Sequence, residues 1–516
     1  MMKIKAYIFL GLAVMACSKQ ETVNYPDLPG NGIADYYDPS LKPFYHGVAS
    51  GDPLSDAVII WTRVTPQDSL PEIEVRWMVS KSDDFSTVEQ EGMEWTSPTI
   101  DYTVKADVSG LEAGVQYFYR FVALGDTSVV GKTKTSPGAG TAEVKLGVVS
   151  CSNYEWGYFN AYKKLAEKEL DAVLHLGDYI YEYGPGSYGD TTLSRTHYPK
   201  KEVITLADYR LRYSQYRLDP DLRLAHQNHA FIAIWDDHEI ANDSYVEGAQ
   251  NHQEGEGDYK VRREAARKAY YEWLPVRASE NLYRKFDYGE LVDLIMLDER
   301  LAGRTAPADS LDDPVLSDST RSMLGNEQLG WFNEQLISSD ATWKVIGNQV
   351  IYSYLNWGRP GFSINLDSWD GYPLEQIKIA DLIRDQSIEN VVFVTGDTHS
   401  SWAFEVSIDP FNDYDQHTGE GAFAVEFGTT SINSSNSNEW SPDDSVRAHE
   451  ERIVNSPINP HLKFANLRDH GYLVLTLTPE EAKADWYYVE SVTEKTDQEV
   501  LGKSISVQKG STKLDL

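Results

Sequence analysis

The sequence predicts an α/β fold preceded by a small all-β sandwich domain. Between residues 44 and 135, short stretches alternate apolar and polar residues with no strong helical period, as in sandwiches of the fibronectin type III kind. After residue 143, an apolar strand, a helical stretch and a second apolar strand follow one another, which is typical of a βαβ unit. We therefore expect the sandwich at residues 43–135 and the α/β domain at residues 143–516.

Two further helices are predicted within the α/β domain, at residues 206–217 and 259–273. In the second of them Val261, Ala265 and Ala269 keep an apolar stripe at helical spacing. A chain of 516 residues with 41% hydrophobic residues is too long for one ordinary domain and can fill large cores. Two folded units are therefore expected.

Residues 1–17 have the features of a bacterial lipoprotein signal. Lys3 and Lys5 precede an apolar stretch that is too short to span a bilayer as a helix. A small residue directly before Cys17 resembles the cleavage site at which such a cysteine becomes the acylated amino terminus. We expect an exported protein, anchored at Cys17 to a bacterial membrane on the periplasmic or cell-surface side, with residues 18–42 as a tether. The alternative is an ordinary signal peptide with an incidental cysteine.

The charge balance narrows the classes of partner. The chain has 46 basic and 80 acidic residues and a formal net charge of −34. Such a surface repels nucleic acid and anionic lipid, so no nucleic-acid role is expected, and membrane contact is expected only through the anchor. An anionic substrate would need a local positive field, which bound divalent or trivalent cations supply.

Four apolar stretches of strand character end at residues that bind metals or carry protons. The residues at these ends are Cys151, then Asp178 and Tyr181, then the run 236–239, and finally Asp397 and His399. Buried strands of α/β folds deliver polar side chains at their carboxyl ends, along one edge of a sheet. Four such ends predict one shared site.

The first two ends combine soft and hard ligand types. If Cys17 is acylated, Cys151 is the only thiol of the mature chain, and we interpret it as a metal ligand rather than a packed buried thiol. Asp178 can bridge two cations. Tyr181 can bind as a phenolate, which requires a strongly Lewis-acidic ion such as ferric iron because tyrosine has a pKa of about 10. Alternatively, Tyr181 packs among the neighbouring tyrosines.

The other two ends carry oxygen and nitrogen ligands. Asp237 and Asn242 offer the oxygens that calcium prefers, and His238 can orient a phosphate oxygen or protonate a leaving group. Asp397 and His399 can point to the same side of a turn. The alternative for residues 236–243 is a solvated acidic loop. Because the chain has no motif for a covalent nucleophile, the residues favour hydrolysis by metal-activated water, for which phosphoesters are well suited.

The chain resembles the alkaline phosphatase D (PhoD-like) metallophosphatases along nearly all of its mature length. The matching segments are residues 44–53, 61–63, 150–151, 177–181, 235–239, 297–300, 369–373, 396–399 and 459–461. The resemblance implies an N-terminal β-sandwich and a catalytic domain of two packed sheets flanked by helices. One departure is Glu299, where the family commonly has a smaller residue, and we expect it to alter the pocket.

The resemblance also implies a mixed metal site of Fe³⁺ and Ca²⁺. It assigns four residues to iron: Cys151, Asp178, Tyr181 and His399. Asp178 would also bridge to calcium, with three further calcium ligands: Asp237, Asn242 and Asp397.

These observations predict a secreted metal-dependent phosphoesterase with His238 and Asp237 as catalytic residues. It would hydrolyse phosphomonoesters, phosphodiesters or both, for phosphate scavenging. Two alternatives stay open, a phospholipase D-like phosphodiesterase and a non-catalytic surface lipoprotein that binds calcium or glycans.

Overall fold

The computed structural model describes residues 32–516 and shows a mixed α/β fold, as predicted. The signal segment, Cys17 and the first part of the predicted tether lie outside the described residues. The helices are α1 (Asn160–Leu165), α2 (Leu206–Arg217), α3 (Pro220–Asn228), α4 (Tyr259–Trp273), α5 (Gly325–Ser338), α6 (Pro373–Asp385) and α7 (Asp443–Val454). The strands are β1 (Val48–Gly51), β2 (Ala57–Arg63), β3 (Ile73–Ser80), β4 (Gln90–Thr96), β5 (Thr103–Ser109), β6 (Gln116–Ala123), β7 (Asp126–Thr127), β8 (Gly131–Lys134), β9 (Val144–Val149), β10 (Ala172–His175), β11 (Ala230–Ala233), β12 (Arg284–Tyr288), β13 (Val292–Met296), β14 (Trp343–Gly347), β15 (Val391–Thr395), β16 (Ser401–Val406), β17 (Ala424–Gly428), β18 (Leu462–Asn466), β19 (Gly471–Leu477), β20 (Glu481–Val489), β21 (Glu499–Gln508) and β22 (Leu514–Asp515).

The strands form three sheets. The largest has ten strands in the order β22-β21-β20-β19-β9-β10-β11-β1-β2-β5, and its members β9, β10, β11 and β1 are parallel. A seven-stranded sheet has the order β12-β13-β14-β15-β17-β16-β18, with β13, β14, β15 and β17 parallel. The third sheet contains β4, β3, β6 and β7, with β8 paired to β6.

A single apolar core joins the two larger sheets. Leu146 and Leu174 from the ten-stranded sheet cluster with Val345, Val394 and Phe427 from the seven-stranded sheet. The parallel strands β10 and β15 are buried along their whole length and β9 is buried except at Lys145, which explains their largely apolar sequences. A second core lies under α5 and α6, so the seven-stranded sheet carries helices as well.

Three helices begin at side-chain caps: α2, α3 and α4. α2 starts with a capping box between Thr205 and Asp208, and the side chain of Asp258 caps α4. Both helices have the predicted bounds. Within residues 32–516, no helix is both long enough and apolar enough to cross a membrane.

The N-terminal strands divide between two sheets. β1, β2 and β5 extend the ten-stranded sheet, with Ser50 of β1 aligned in parallel with Ala230 of β11. The remaining strands form the third sheet, and side chains such as Ile60, Val75 and Phe121 fill the core between the two. One face of this sandwich is therefore continuous with the α/β region through backbone hydrogen bonds.

The predicted tether does not extend to residue 42. Ile33 is buried in a small apolar cluster with Tyr45, Leu211 and Leu218, and Tyr37 stacks on Tyr45 with ring centroids 4.2 Å apart. Residues 32–42 therefore pack against the fold, because their few apolar side chains find partners on α2 and at its C-terminal end.

Candidate metal centre

The four strand ends meet at one place. β9, β10 and β11 end side by side in the ten-stranded sheet, and β15 ends in the facing seven-stranded sheet. A parallel bridge between Ser150 and Ser431 ties the two edges together directly beside Cys151. The carboxyl edges of both sheets thus contribute side chains to a single site.

Cys151, Asp178, Tyr181 and His399 form the first group. Single ligand atoms of Cys151, Asp178 and His399 lie within 4.8 Å of one another. The Tyr181 hydroxyl donates to Asp178 Oδ2 at 2.9 Å and lies 3.1 Å from His399 Nε2. The structure therefore places together the four residues that the resemblance assigns to iron.

A backbone carbonyl fixes the tautomer of His399. Its Nδ1 lies 2.7 Å from the carbonyl oxygen of Ser435, which can only accept, so Nδ1 carries the hydrogen. Burial lowers the pKa of His399 to about 4, so the ring is neutral at physiological pH. The lone pair on Nε2 consequently faces Tyr181 and Asp178, as a metal-binding imidazole requires.

Several candidate ligands lie on strained backbone. The backbone φ angles lie between 55° and 61° at Cys151, Asp178, Asp397 and His399. Residues other than glycine rarely adopt this left-handed conformation. Such strain persists where the surrounding structure enforces it, commonly at functional sites. These backbone conformations turn the chain sharply after β9, β10 and β15.

Gly177 permits the turn at the end of β10. Its φ is +103°, and a Cβ there would lie 2.3 Å from the backbone nitrogen of Asp236. The carboxylate of Glu239 accepts hydrogen bonds from the backbone N–H groups of Asp178, Tyr179 and Asp236. These contacts lock the ends of β10 and β11 against each other.

Asp237 and His238 form the second group together with Asp178. Their ligand-type atoms also lie within 4.8 Å of one another. His238 Nδ1 is 2.7 Å from Glu182 Oε2, and its ring packs against Tyr181 with centroids 4.3 Å apart. Although burial opposes the charge, Asp237, Asp178 and Glu182 together hold the pKa of His238 well above its ordinary value. These three carboxylates therefore favour the protonated form of the His238 imidazole.

A buried arginine faces the acidic side of the site. Arg300 Nη1 lies 2.7 Å from Asp367, and Nη2 lies 3.6 Å from Asp397 and 3.9 Å from Asp237. Its Nε also pairs with Asp236. Arg300 thus neutralises part of a cluster of carboxylates.

A cavity of about 300 Å³ exposes this cluster to solvent. Asp237, Asn242, Asp397 and His399 all line it. The side-chain oxygen of Asn242 accepts from the Tyr183 hydroxyl at 3.3 Å. Every predicted site residue from Cys151 to His399 therefore belongs to one assembly, while Cys17 lies outside the described residues.

The donor set fits bound cations. Burial, together with neighbouring carboxylates, raises the pKa values of Asp178 and Asp397 well above their usual range, although the nearby cations His238 and Arg300 oppose the shift. Burial and the nearby Asp178 likewise raise the pKa of the Cys151 thiol. Positive ions at these atoms would restore the charged forms, because an opposite charge within a few ångströms favours ionisation. Thiolate, phenolate and imidazole suit a transition metal, whereas the carboxylate and amide oxygens suit a hard cation.

Sequence reasoning gave no role to several residues of the site, including Asp243, which forms a candidate metal group with Asp237 and Asp367. Arg300 lay within a segment of the family resemblance but received no role, and Glu182 and Asp367 were not singled out. Glu182 is a charged residue between two tyrosines, and this position in the sequence could have indicated a site residue. Asp367 lies in an irregular segment whose sequence carries no comparable pattern.

The expectation for Glu299 is wrong. Its carboxylate accepts from the backbone N–H groups of Gln349 and Val350 and from the indole of Trp369, and the side chain is fully buried. Glu299 therefore ties the end of β13 to neighbouring segments and does not line the cavity.

Known proteins share this architecture and sequence. A family model described as PhoD-like phosphatase matches residues 146–486, and one described as PhoD-like phosphatase, N-terminal domain, matches residues 33–137. The chain is 38% identical over 480 residues to alkaline phosphatase D of Bacillus subtilis (strain 168), covering 88% of this chain and 79% of the relative. A solved structure of PhoD, 37% identical in sequence, matches with a TM-score of 0.82 over 93% of this chain and 92% of its own. The chain therefore belongs to the PhoD-like phosphatase family.

Proposed function

We propose that the protein is a metal-dependent hydrolase of phosphoric esters that acts on phosphomonoesters, phosphodiesters or both. The convergence of Cys151, Asp178, Tyr181 and His399 at the meeting edge of two sheets carries the proposal. Family membership and the similarity to alkaline phosphatase D support the same reaction. A purely structural cluster would not need four ligand-type side chains on strained or buried positions.

We infer that the bound ions are Fe³⁺ and Ca²⁺. Cys151, Tyr181, His399 and Asp178 would hold iron, since phenolate and thiolate together favour a strongly Lewis-acidic transition metal. Asp178 would also contact calcium, for which Asp237, Asn242 and Asp397 supply oxygen ligands. When bound, the cations supply an activated water and positive charge for the phosphoryl oxygens.

His238 is the proposed proton donor to the leaving oxygen. Its ring is held by Glu182 through Nδ1, and it lines the same cavity as the carboxylates. A protonated imidazole in this position can give up its proton as the ester bond breaks. Asp237 would stabilise the charge on His238, in addition to its proposed role as a calcium ligand.

Arg300 positions the carboxylates rather than the substrate. It is fully buried and contacts Asp236, Asp367 and Asp397. By holding these groups together it keeps the oxygen ligands in place before a cation binds. We assign it a positioning role.

We propose further that the protein is exported and anchored through Cys17. The signal-like residues 1–17, and the cysteine after a small residue, support this location. An anchored phosphoesterase outside the cytoplasm would release phosphate from external esters for uptake. Mass spectrometry of the mature amino terminus tests the proposal, and an unmodified Cys17 would refute the anchor.

Metal content tests the iron site directly. In protein purified without chelator, elemental analysis should find near-stoichiometric iron and calcium, together with a visible phenolate-to-iron absorption band. Tyr181→Phe should abolish the band and lower the iron content. Tyr179→Phe is the matched control, because Tyr179 is equally buried at the same strand end but its hydroxyl contacts His226. Iron retained equally in both variants would contradict the assignment.

Matched substrates test the reaction. Turnover of a phosphomonoester and of the corresponding diester should both depend on Asp178 and Cys151. Asp178→Asn and Cys151→Ala should each reduce hydrolysis by at least about a hundredfold. Negligible monoester turnover with efficient diester cleavage would favour the phospholipase D-like alternative, and unchanged hydrolysis in both variants would refute the site.

A further inference from the structure

A second cavity, of about 670 Å³, opens beside the candidate metal centre. It shares Tyr188, Asn365 and Asp397 with the cavity at the metal centre, so the two are continuous. Ser435, whose carbonyl fixes His399, lines the second cavity as well. Its volume is in the range of small-molecule sites. The second cavity can therefore hold the rest of a substrate whose phosphate lies at the metal centre.

Two exposed aromatic rings line this second cavity. Trp440 is 70% exposed, yet its position is fixed by an edge-to-face contact with Trp156 at 5.7 Å and by a hydrogen bond to Ser435 Oγ at 3.3 Å. Phe362 is 44% exposed and packs against Trp357 at 5.7 Å. Rings that are held in place but exposed offer a face on which a planar group can stack.

A positively charged side chain, that of Arg359, also lines the second cavity. Arg359 Nη2 donates to Ser437 Oγ at 2.7 Å, and among residues 32–516 no carboxylate forms an ion pair with Arg359. In a chain with a net charge of −34, an arginine free of acidic partners next to the metal centre is suited to an anionic ligand.

The Arg359 side chain and the backbone of Trp440 both contact Ser437. Ser437, which binds Arg359, begins the 3-10 turn Ser437–Glu439, and the backbone N–H of Trp440 donates to the Ser437 carbonyl at 3.3 Å. Both side chains also line the second cavity, so one ligand in this cavity can contact the guanidinium and the indole. Serine and asparagine side chains around the turn, such as Asn436, can bind hydroxyl groups of a sugar.

We propose that the second cavity binds the nucleoside part of a nucleotide substrate that carries a second phosphate group. The base would stack on Trp440, the second phosphate would pair with Arg359, and the phosphate to be cleaved would lie at the metal centre. Hydrolysis breaks the bond from phosphorus to the nucleoside oxygen, which gains a proton, and forms a bond from phosphorus to the water oxygen. This assignment rests on the proposed phosphoesterase function.

Substrate selectivity tests the proposal. For the metal-loaded full-length protein, kcat/KM should decrease from adenosine 3′,5′-bisphosphate through adenosine 5′-monophosphate to glycerol 3-phosphate. Trp440→Ala should lower kcat/KM for both nucleotides by about tenfold relative to kcat/KM for glycerol 3-phosphate, because base stacking is lost. Arg359→Gln should lower kcat/KM for the bisphosphate by about tenfold relative to the monophosphate, because one charge-assisted contact is lost.

Trp95→Ala is the matched control, since Trp95 is 50% exposed on β4 and does not line the second cavity. If Trp440→Ala has the same preference among the three substrates as wild type, the proposal is overturned. Calorimetric titration with adenosine 3′,5′-bisphosphate measures binding in the second cavity separately from the proposed phosphoesterase activity. Weaker binding to Trp440→Ala would support the second cavity even if no ester is hydrolysed, whereas equal binding to wild type and variant would overturn it.

Discussion

Replacing Arg300 with methionine tests whether this arginine holds the acidic cluster together. Its guanidinium lies 2.7 Å from Asp367 and 3.6 Å from Asp397, and it also pairs with Asp236. At an effective dielectric constant of about 20, a charge pair at 2.7 Å attracts by about 6 kcal/mol before the cost of desolvation is subtracted. Breaking a buried pair from one side typically costs about 3–5 kcal/mol, because the remaining carboxylates lose their counter-charge. We expect Arg300→Met to lower the free energy of unfolding by that amount at pH 7.5.

Urea unfolding, followed by tryptophan fluorescence with excess chelator, measures the effect without bound metal. Burial raises the pKa of Asp236 to about 6 while Arg300 opposes the shift, so the variant's carboxyl pKa values should be higher still. The contribution of Arg300 is thus present above about pH 6 and is lost as the pH falls and the carboxylates protonate. Arg321→Met is the control, because buried Arg321 donates to the carbonyls of Gly371 and Ala306 and has no ion-pair partner among the described residues. The proposed role of Arg300 would be refuted if both variants lost the same free energy of unfolding. A loss for Arg300→Met that does not change with pH would refute it as well.

Three further predictions concern the surroundings of the site. Glu182→Gln should lower kcat by about 10- to 100-fold with an unchanged circular dichroism spectrum, because the charge that holds His238 is removed; wild-type kcat would contradict this. Gly177→Ala should abolish turnover and lower the melting temperature, since the new Cβ collides with the Asp236 backbone, and a wild-type-like melting curve would exclude that collision. Burial lowers the pKa of Lys105 to about 8, so the unfolded chain holds this proton more tightly than the folded one. The unfolding free energy of wild type relative to Lys105→Met should therefore rise between about pH 8 and pH 10 in urea titrations, and a flat difference would contradict the shift.

The site was predictable from sequence where each ligand follows directly on an apolar strand. Cys151, Asp178 and Asp397 stand within three residues of the ends of β9, β10 and β15, so strand placement alone brought them together. Arg300 and Asp367 meet across 67 positions of chain. Nothing in the local sequence of Asp367 indicates that contact, because it depends on how the segments after β13 and β14 fold back over the site.

Sequence reasoning found the bounds of two helices that begin at side-chain caps, although Val261 of the predicted apolar stripe on α4 is 68% exposed. α2 and α4 have the predicted bounds, whereas α5, α6 and α7 were not identified. α7 illustrates the cause, since Asp443 and Asp444 look like loop residues but stabilise its N-terminal turn, and only Val446, Glu450 and Ile453 of the helix are buried. The placement of β1 beside β11 was also beyond sequence reasoning, because pairing between distant strands leaves no periodic signal.

The order of strands in the largest sheet has a consequence for when the protein can fold. β9 precedes β10 and β11 in the chain, but its other neighbour is β19, with Val474 paired to Gly147. Ribosomes deliver β19 after β9, β10 and β11, so β9 lacks one of its two neighbours until the later strands have been made. Pairings over such distances along the chain form slowly. Cys151 follows β9 after one intervening residue, so the strand that positions this candidate ligand gains its second neighbour only when β19 joins the sheet.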